Sequence, residues 1–308
     1  MTTSAPVSSF DPTALRALQG LDFRARYLVE GYLAGLHQSP FHGSSVEFSE
    51  YRDYQPGDDW RKLDWRLYAR GDRLYMKKYE QETEARCFLI MDRSASMNYQ
   101  GSRSWASKSS TAATLAAAMS WFLLRQKDPV GLLGFRTEAN DQRALHYLAP
   151  SQRPNRLGEL LRGLEALPVA GGAQLPELLD HALRLIRRRS ILLIFSDLLE
   201  PLENLETRLK HLRFRGHEVL VFQTLDADEL DFPFSEQSVF ADPETGVRRQ
   251  VQPAEARRNY LARFEAFRAS QTEMLRKLEV SHQLFRSDEN PGPALARFLG
   301  HRRQYSRR

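Results

Sequence analysis

Two apolar runs in the chain end on a carboxylate. Residues 87–91 (CFLIM) lead into Asp92, and residues 191–196 (ILLIFS) lead into Asp197. Asp92 opens the pentapeptide Asp92-Arg93-Ser94-Ala95-Ser96, so two hydroxyls follow it at alternate positions. Carboxylates and hydroxyls are hard oxygen donors, and two of each suit Mg²⁺ or Mn²⁺ with water filling the remaining positions. A cation held mainly by neutral hydroxyls keeps Lewis acidity for an incoming carboxylate, which favours capture of a partner's Asp or Glu over turnover. Asp followed by Ser at the second position also describes an Asx or helix-capping turn. The chemical reading gains weight because each Asp ends an apolar run and a helical stretch follows the first.

These residues can meet only if the right elements carry them. Short continuous runs of Val, Ile and Leu separated by helical periodicity describe strands buried on both faces. Such strands recur at 87–91, 130–135, 191–197 and 218–223, with shorter ones at 144–148 and 282–285. Helices are predicted over about 105–126, 155–166, 175–187, 201–214, 254–278 and 293–301. Alternation of this kind predicts an α/β fold, a doubly wound, mostly parallel sheet flanked by helices. Ligands of such sheets bind beyond the carboxyl ends of the strands, where strand order reverses. If the strands ending in Asp92 and Asp197 are neighbours at that reversal, both carboxylates face one crevice.

The N-terminal quarter has a different texture. Residues 1–20 read as loosely ordered. Residues 21–83 read as a small α+β or β-rich unit, with a helix from Asp22 to Leu36 and half-exposed strands near Tyr51 and over Arg73–Glu80. The larger domain is assigned to 84–301, with a hairpin insertion at about 238–252 around Asp242-Pro243-Glu244-Thr245-Gly246, and a basic tail at 302–308. The charged residues Arg52, Asp58, Asp64, Arg66 and Arg70, with Trp60 and Trp65 beside them, can knit charge-assisted hydrogen bonds that are expected to hold the small unit against the larger domain.

Composition narrows the function classes. With 42% hydrophobic and 27% charged residues, the chain can build an ordinary globular core. The single cysteine, Cys87, excludes an internal disulfide framework and fits a reducing compartment. No signal-peptide pattern opens the sequence and no apolar run reaches the length of a membrane span, so a cytoplasmic protein is expected. The net charge of +5 is modest; part of the excess sits in the tail and in Arg187-Arg188-Arg189, and basic residues elsewhere are interleaved with acidic ones. The tail alone could tether the chain to anionic lipid or nucleic acid. Neither a Walker A nor a dinucleotide-binding glycine motif is present, and there is no Gly-x-Ser-x-Gly or His-Glu-x-x-His. A hydrolase would therefore have to use the Asp92–Asp197 pair and a metal-activated water.

The stretches DRSASM, KSSTAATLAAAMSWFL, DPVGLLGF, GGAQL and LLIFSDL together resemble the skeleton of a von Willebrand A domain. That resemblance implies a metal-ion-dependent adhesion site of Asp92, Ser94, Ser96 and Asp197. Its usual threonine falls at Gly171-Gly172-Ala173-Gln174, where Ala173 supplies no hydroxyl. A water or the Gln174 amide would have to stand in, so the site is degenerate and metal uptake weakened. Arg93, Gly172 and Gln174 are the candidate partner-contacting residues on the rim.

Upstream, Gly43, Glu47-Phe48, Arg52-Asp53-Tyr54-Gln55-Pro56-Gly57-Asp58 and Asp64-Trp65 with Ala69-Arg70 resemble the opening of the bacterial "domain of unknown function 58" family. The likeness runs from about residue 22 to 301. It implies a non-enzymatic adaptor that works with a MoxR-type AAA+ ATPase in assembly or chaperone-like work. The alternatives are a Mg²⁺-dependent hydrolase at the same crevice, or a tether acting through the basic tail.

Overall fold

The computed structural model describes residues 20–37, 51–53, 75–77, 86–137, 143–172, 174–235, 238–292 and 295; in the first three segments, side chains are described only for 20–30. The chain divides into two compact units, residues 35–84 and residues 1–34 with 85–308. Helix α1 (Leu21–His37) lies for most of its length in the larger unit. Its Leu21, Ala25, Leu28 and Val29 are buried, and Arg24 donates to the Ser110 hydroxyl at 2.7 Å. An apolar stripe at helical spacing and one anchoring guanidinium thus attach the helix there, rather than to the β-rich segment with which the sequence groups it. In the smaller unit, β1 (Tyr51–Asp53) pairs antiparallel with β2 (Tyr75–Lys77). The charged knit predicted around Asp58, Asp64, Arg66 and Arg70 lies outside the described residues, as do the basic tail and all but residue 295 of the last helix.

The larger unit continues with β3 (Cys87–Met91), α2 (Lys108–Arg125), β4 (Val130–Thr137), β5 (Arg143–Ser151), α3 (Arg156–Ala166), α4 (Leu175–Leu185), β6 (Ile191–Ser196), α5 (Leu202–Phe214), β7 (Glu218–Leu225), α6 (Ala227–Asp231), β8 (Ser238–Ala241), β9 (Arg248–Val251), α7 (Pro253–Lys277) and β10 (Ser281–Arg286). Six strands form one sheet in the order β10-β7-β6-β3-β4-β5. All its pairings are parallel except β4 with β5. β5 is the half-exposed edge, where Pro150 costs no interior hydrogen bond. The predicted hairpin is present as antiparallel β8 and β9, paired outside this sheet.

Side chains alternate between the two faces of each strand, so both faces need cover. On one face, Phe88, Ile90, Leu133, Leu192, Ile194, Val219 and Val221 pack with Leu178 and Leu179 of α4, Leu205 and Leu209 of α5, and Leu275 of α7. α2 packs against β3, β4, β6 and β7, with Leu115, Ala116, Met119 and Leu123 wholly buried. Small residues in α2 let the helix lie close to the sheet. Phe195, Phe222 and Phe285 stack across β6, β7 and β10 with ring centroids 4.8 and 5.7 Å apart. Full burial of one such side chain contributes about 1.5–3 kcal/mol, so the strands that end at Asp92 and Asp197 form a rigid floor.

Candidate functional site

β3 and β6 are adjacent and parallel, in register from Cys87 opposite Ile191 to Met91 opposite Phe195. From β3 the chain proceeds outward through β4 and β5, then returns to the other side of β3 as β6 and proceeds through β7 to β10. The reversal of strand order therefore falls between the two strands that end on carboxylates, where crevices form in open sheets. The Asp92 N–H continues the pairing by donating to the Phe195 carbonyl at 2.9 Å.

Around Asp92 the loop folds back on itself. Its Oδ1 accepts the Ser94 N–H at 2.9 Å and its Oδ2 accepts the Ser196 hydroxyl at 2.5 Å. The Ser94 and Ser96 hydroxyls stand 3.1 Å apart, at the edge of a short 3-10 turn over Ala95–Asn98. Asp92, Ser94 and Asp197 are buried, while Ser96 is half-buried. Burial, and then the Asp197 charge, push the Asp92 carboxyl up to about 6 against the pull of Ser196 and Ser94.

Asp197 has a different neighbour. Its Oδ2 lies 2.9 Å from the ammonium of Lys108, which also reaches Glu229 Oε1 at 2.6 Å. Its Oδ1 accepts the Leu199 N–H at 3.2 Å. Burial would pull the Lys108 ammonium down, but Asp197 and Glu229 outweigh it and hold it above its ordinary range. Glu200 follows on the same loop. Burial, Asp92, Glu244 and Asp197 push its carboxyl up to about 7, with Arg208 opposing.

The rim residues divide. Arg93 is buried, donates to the Ser109 hydroxyl, and reaches the Leu164 carbonyl at 2.7 Å. Gln174 is buried as well, and its amide donates to the carbonyls of Arg93 at 3.1 Å and Ala170 at 2.5 Å. The Gln174 side chain ties the Asp92 loop to the 170–174 loop, a tie completed by Ala95 N–H to Gly171 O at 2.9 Å and Ala170 N–H to Arg93 O at 3.1 Å, while the Arg93 side chain anchors the Asp92 loop to α2 and α3. Both side chains are turned inward because an enclosed guanidinium or amide must find internal acceptors. Of the three expected partner contacts, Gly172 is the exposed one. Ala173 lies outside the described residues.

Three residues of this site were not singled out by the sequence: Lys108, Glu229 and Glu200. Glu229 had a readable signal. Asp226-Ala227-Asp228-Glu229 forms a capping box on α6, with Asp228 N–H to Asp226 Oδ1 and Asp226 N–H to Glu229 Oε2, at 2.9 and 2.8 Å. Lys108 is an anomaly in its own helix, a basic residue at the positive end of the dipole. Glu200 carries no local signature.

The donors partly fit a hard divalent cation. Cis oxygens of an octahedral Mg²⁺ shell at 2.0–2.1 Å lie about 3 Å apart, close to the 3.1 Å between Ser94 and Ser96. Asp92 adds a charge on the same loop, whereas Asp197 is already engaged by Lys108. Among the described residues, no group of three or more His, Cys, Asp or Glu side chains converges as a metal centre. The arrangement thus depends on the serine hydroxyls.

The family model described as "Protein of unknown function DUF58" matches residues 50–273, well over half of the chain. The chain belongs to the DUF58 family. It is similar to the uncharacterized protein Rv1480 of Mycobacterium tuberculosis strain H37Rv, 29% identical over 303 residues, which cover 96% of this chain and 91% of that one. The uncharacterized protein YeaD of Bacillus subtilis strain 168 is 44% identical over 61 residues, 20% of this chain and 14% of that protein. Among solved structures, the conserved hypothetical protein BatB from Bacteroides thetaiotaomicron matches with a TM-score of 0.40 and 14% identity, covering 71% of this chain and 99% of that one. An aerotolerance-related membrane protein from Bacteroides fragilis matches with a TM-score of 0.44 and 14% identity, covering 70% and 97%. Among the described residues of this DUF58 chain, no helix is long and apolar enough to cross a membrane.

Proposed function

We propose that this protein is a non-enzymatic binding adaptor whose larger unit is a von Willebrand A-like domain. Its docking point is the crevice of Asp92, Ser94, Ser96 and Asp197, a degenerate adhesion site, and its partner is a MoxR-type AAA+ ATPase in assembly or chaperone-like work. The observation that carries this reading is the meeting of the two strand-end carboxylates at the reversal of strand order, with the Ser94 and Ser96 hydroxyls 3.1 Å apart beside them.

A divalent cation, when held there by Asp92, Ser94 and Ser96, would supply a Lewis acid for a partner's carboxylate. The chain's own residues do the rest. Ser196 and the Ser94 N–H hold the Asp92 carboxylate in place. Gln174 locks the two rim loops together from inside, and Arg93 fixes the Asp92 loop to the end of α3. Pre-ordering of this kind lowers the entropy lost on docking. Asp92 is buried and both of its oxygens are engaged, which suits a fixed ligand better than a group that must take and release protons during turnover.

The test uses the full chain and the purified MoxR-type ATPase of the same genome in sedimentation or calorimetric titration. Wild type is expected to bind, and Ser94→Ala/Ser96→Ala, shown to be folded by circular dichroism, to lose at least about 1.4 kcal/mol, a factor of ten. Equal binding by both, or phosphoester turnover that depends on Asp197, would overturn the proposal.

A further inference from the structure

We infer that Lys108 sets how strongly this crevice takes up a divalent cation: its ammonium is the resident counter-ion of Asp197 and Glu229, and a cation entering at Asp92, Ser94 and Ser96 is held against its field. The inference rests on the docking reading above and deepens it.

The position of Lys108 is costly on two counts. It is the first residue of α2, where the helix dipole disfavours positive charge. Its side chain is also 0% exposed, and an ammonium removed from water must be matched by carboxylates or it is strongly destabilising. It is matched on two sides, by Asp197 at 2.9 Å and Glu229 at 2.6 Å.

Glu229 cannot drift away from this contact. Its other carboxylate oxygen takes the Asp226 N–H at 2.8 Å, and its carbonyl takes the Tyr260 hydroxyl at 2.9 Å. Asp226 is fixed in turn by the Gly101 N–H and the hydroxyls of Ser104 and Ser287, at 3.0, 2.6 and 2.8 Å. The ammonium is therefore pinned beside Asp197 by the whole α6 turn.

Charge compensation in the crevice is thereby unequal. Asp197 has a cation in contact, whereas the hydrogen bonds to Asp92 come from neutral donors, the Ser94 N–H and the Ser196 hydroxyl. The Arg93 guanidinium, next in sequence, is turned to Ser109 and the Leu164 carbonyl. A divalent cation thus meets one carboxylate with no cation in direct contact and two hydroxyls, with a fixed positive charge held against the second carboxylate. Charges enclosed in this way interact far more strongly than in water. Lys108 is a positioning residue for Asp197 and a like-charge brake on cation uptake.

Calorimetric titration of the full chain with MgCl₂ and MnCl₂, with folding checked by circular dichroism, tests this. Lys108→Met/Glu229→Gln removes one charge of each sign and releases Asp197; Mn²⁺ binding is expected to tighten by about tenfold or more. Lys108→Arg keeps the charge and is expected to bind as wild type does. Binding that emerges only in the double variant supports the inference in its strongest form. Equal affinity in wild type and double variant overturns the inference and leaves the docking reading standing, as does a Lys108→Arg protein that binds like the double variant. No binding by any variant overturns the inference, and the docking reading is then decided by the ATPase titration alone. If the double variant does not fold, Glu229→Gln alone decides: with the ammonium concentrated on Asp197, binding is expected to weaken, and unchanged affinity overturns the inference.

Discussion

The Ser196 hydroxyl donates to the Asp92 carboxylate at 2.5 Å, joining the tips of β6 and β3. The same oxygen accepts the Leu198 N–H at 3.0 Å, which holds Leu198 at its positive φ of 56°. One hydroxyl therefore serves both walls of the crevice. Ser196→Ala leaves a buried carboxylate oxygen and a buried N–H without this partner. Removal of one partner from buried groups costs about 1–3 kcal/mol. Urea denaturation should show a lower midpoint with an unchanged slope. An unchanged midpoint would mean that water replaces the hydroxyl.

The raised pKa of Asp92 makes two opposite pH dependences. Burial and Asp197 push it to about 6, above its value in an unfolded chain. The native state therefore binds the extra proton between about pH 3.9 and 6. Stability linked to Asp92 is fully present below that window and is lost as pH rises through it. Asp92→Asn, which cannot ionise, should be more stable than wild type at pH 7, by up to about 3 kcal/mol, and should lose this advantage at pH 4. Cation binding runs the other way, since a protonated carboxyl is no ligand. Mn²⁺ affinity should fall by about tenfold per pH unit below 6. A flat profile in calorimetry between pH 5 and 7 would exclude Asp92 as a ligand.

Gly101 is the residue that brings the loop after the serines against α6. Its N–H donates to Asp226 Oδ2 at 3.0 Å, and a Cβ built there would stand 2.4 Å from both Asp226 Oδ1 and Asp228 Oδ2. Neither carboxylate can easily yield: Asp226 is held by Ser104 and Ser287, and Asp228 by Arg103. Gly101→Ala should lower stability by about 1–3 kcal/mol and weaken partner binding through the displaced loop. Thermal melting and the ATPase titration together check this. Wild-type values in both would show that the loop shifts without cost.

Much of this architecture was legible from local pattern. CFLIM, VGLLGF, ILLIFS and EVLVFQ read as strands because both of their faces are buried, which leaves no alternation to misread. Helices such as Arg156–Ala166 and Leu202–Phe214 emerged close to their predicted limits. β5 was under-read, at 144–148 against Arg143–Ser151, because an edge strand carries mixed exposure and Pro150 looks like an end. The meeting of Asp92 and Asp197 followed from strand order at the reversal. The inward turn of Arg93 did not, since a charged residue in an exposed-looking loop gives no sign that Ser109 and a carbonyl of α3 await it. Lys108 was missed for a similar reason. Its partners lie 89 and 121 positions away, beyond the reach of any local periodicity.

That separation has a temporal side. During synthesis Asp92 emerges first, and Ser196 is 104 positions later, roughly 5–20 s at ~5–20 residues per second. Until then the first carboxylate has only the local Ser94 N–H, and Lys108 has neither of its acids. The crevice cannot operate on a nascent or truncated chain. On the proposed docking role, occupancy of the crevice by a partner would report that β3 to α6 have all been made and folded.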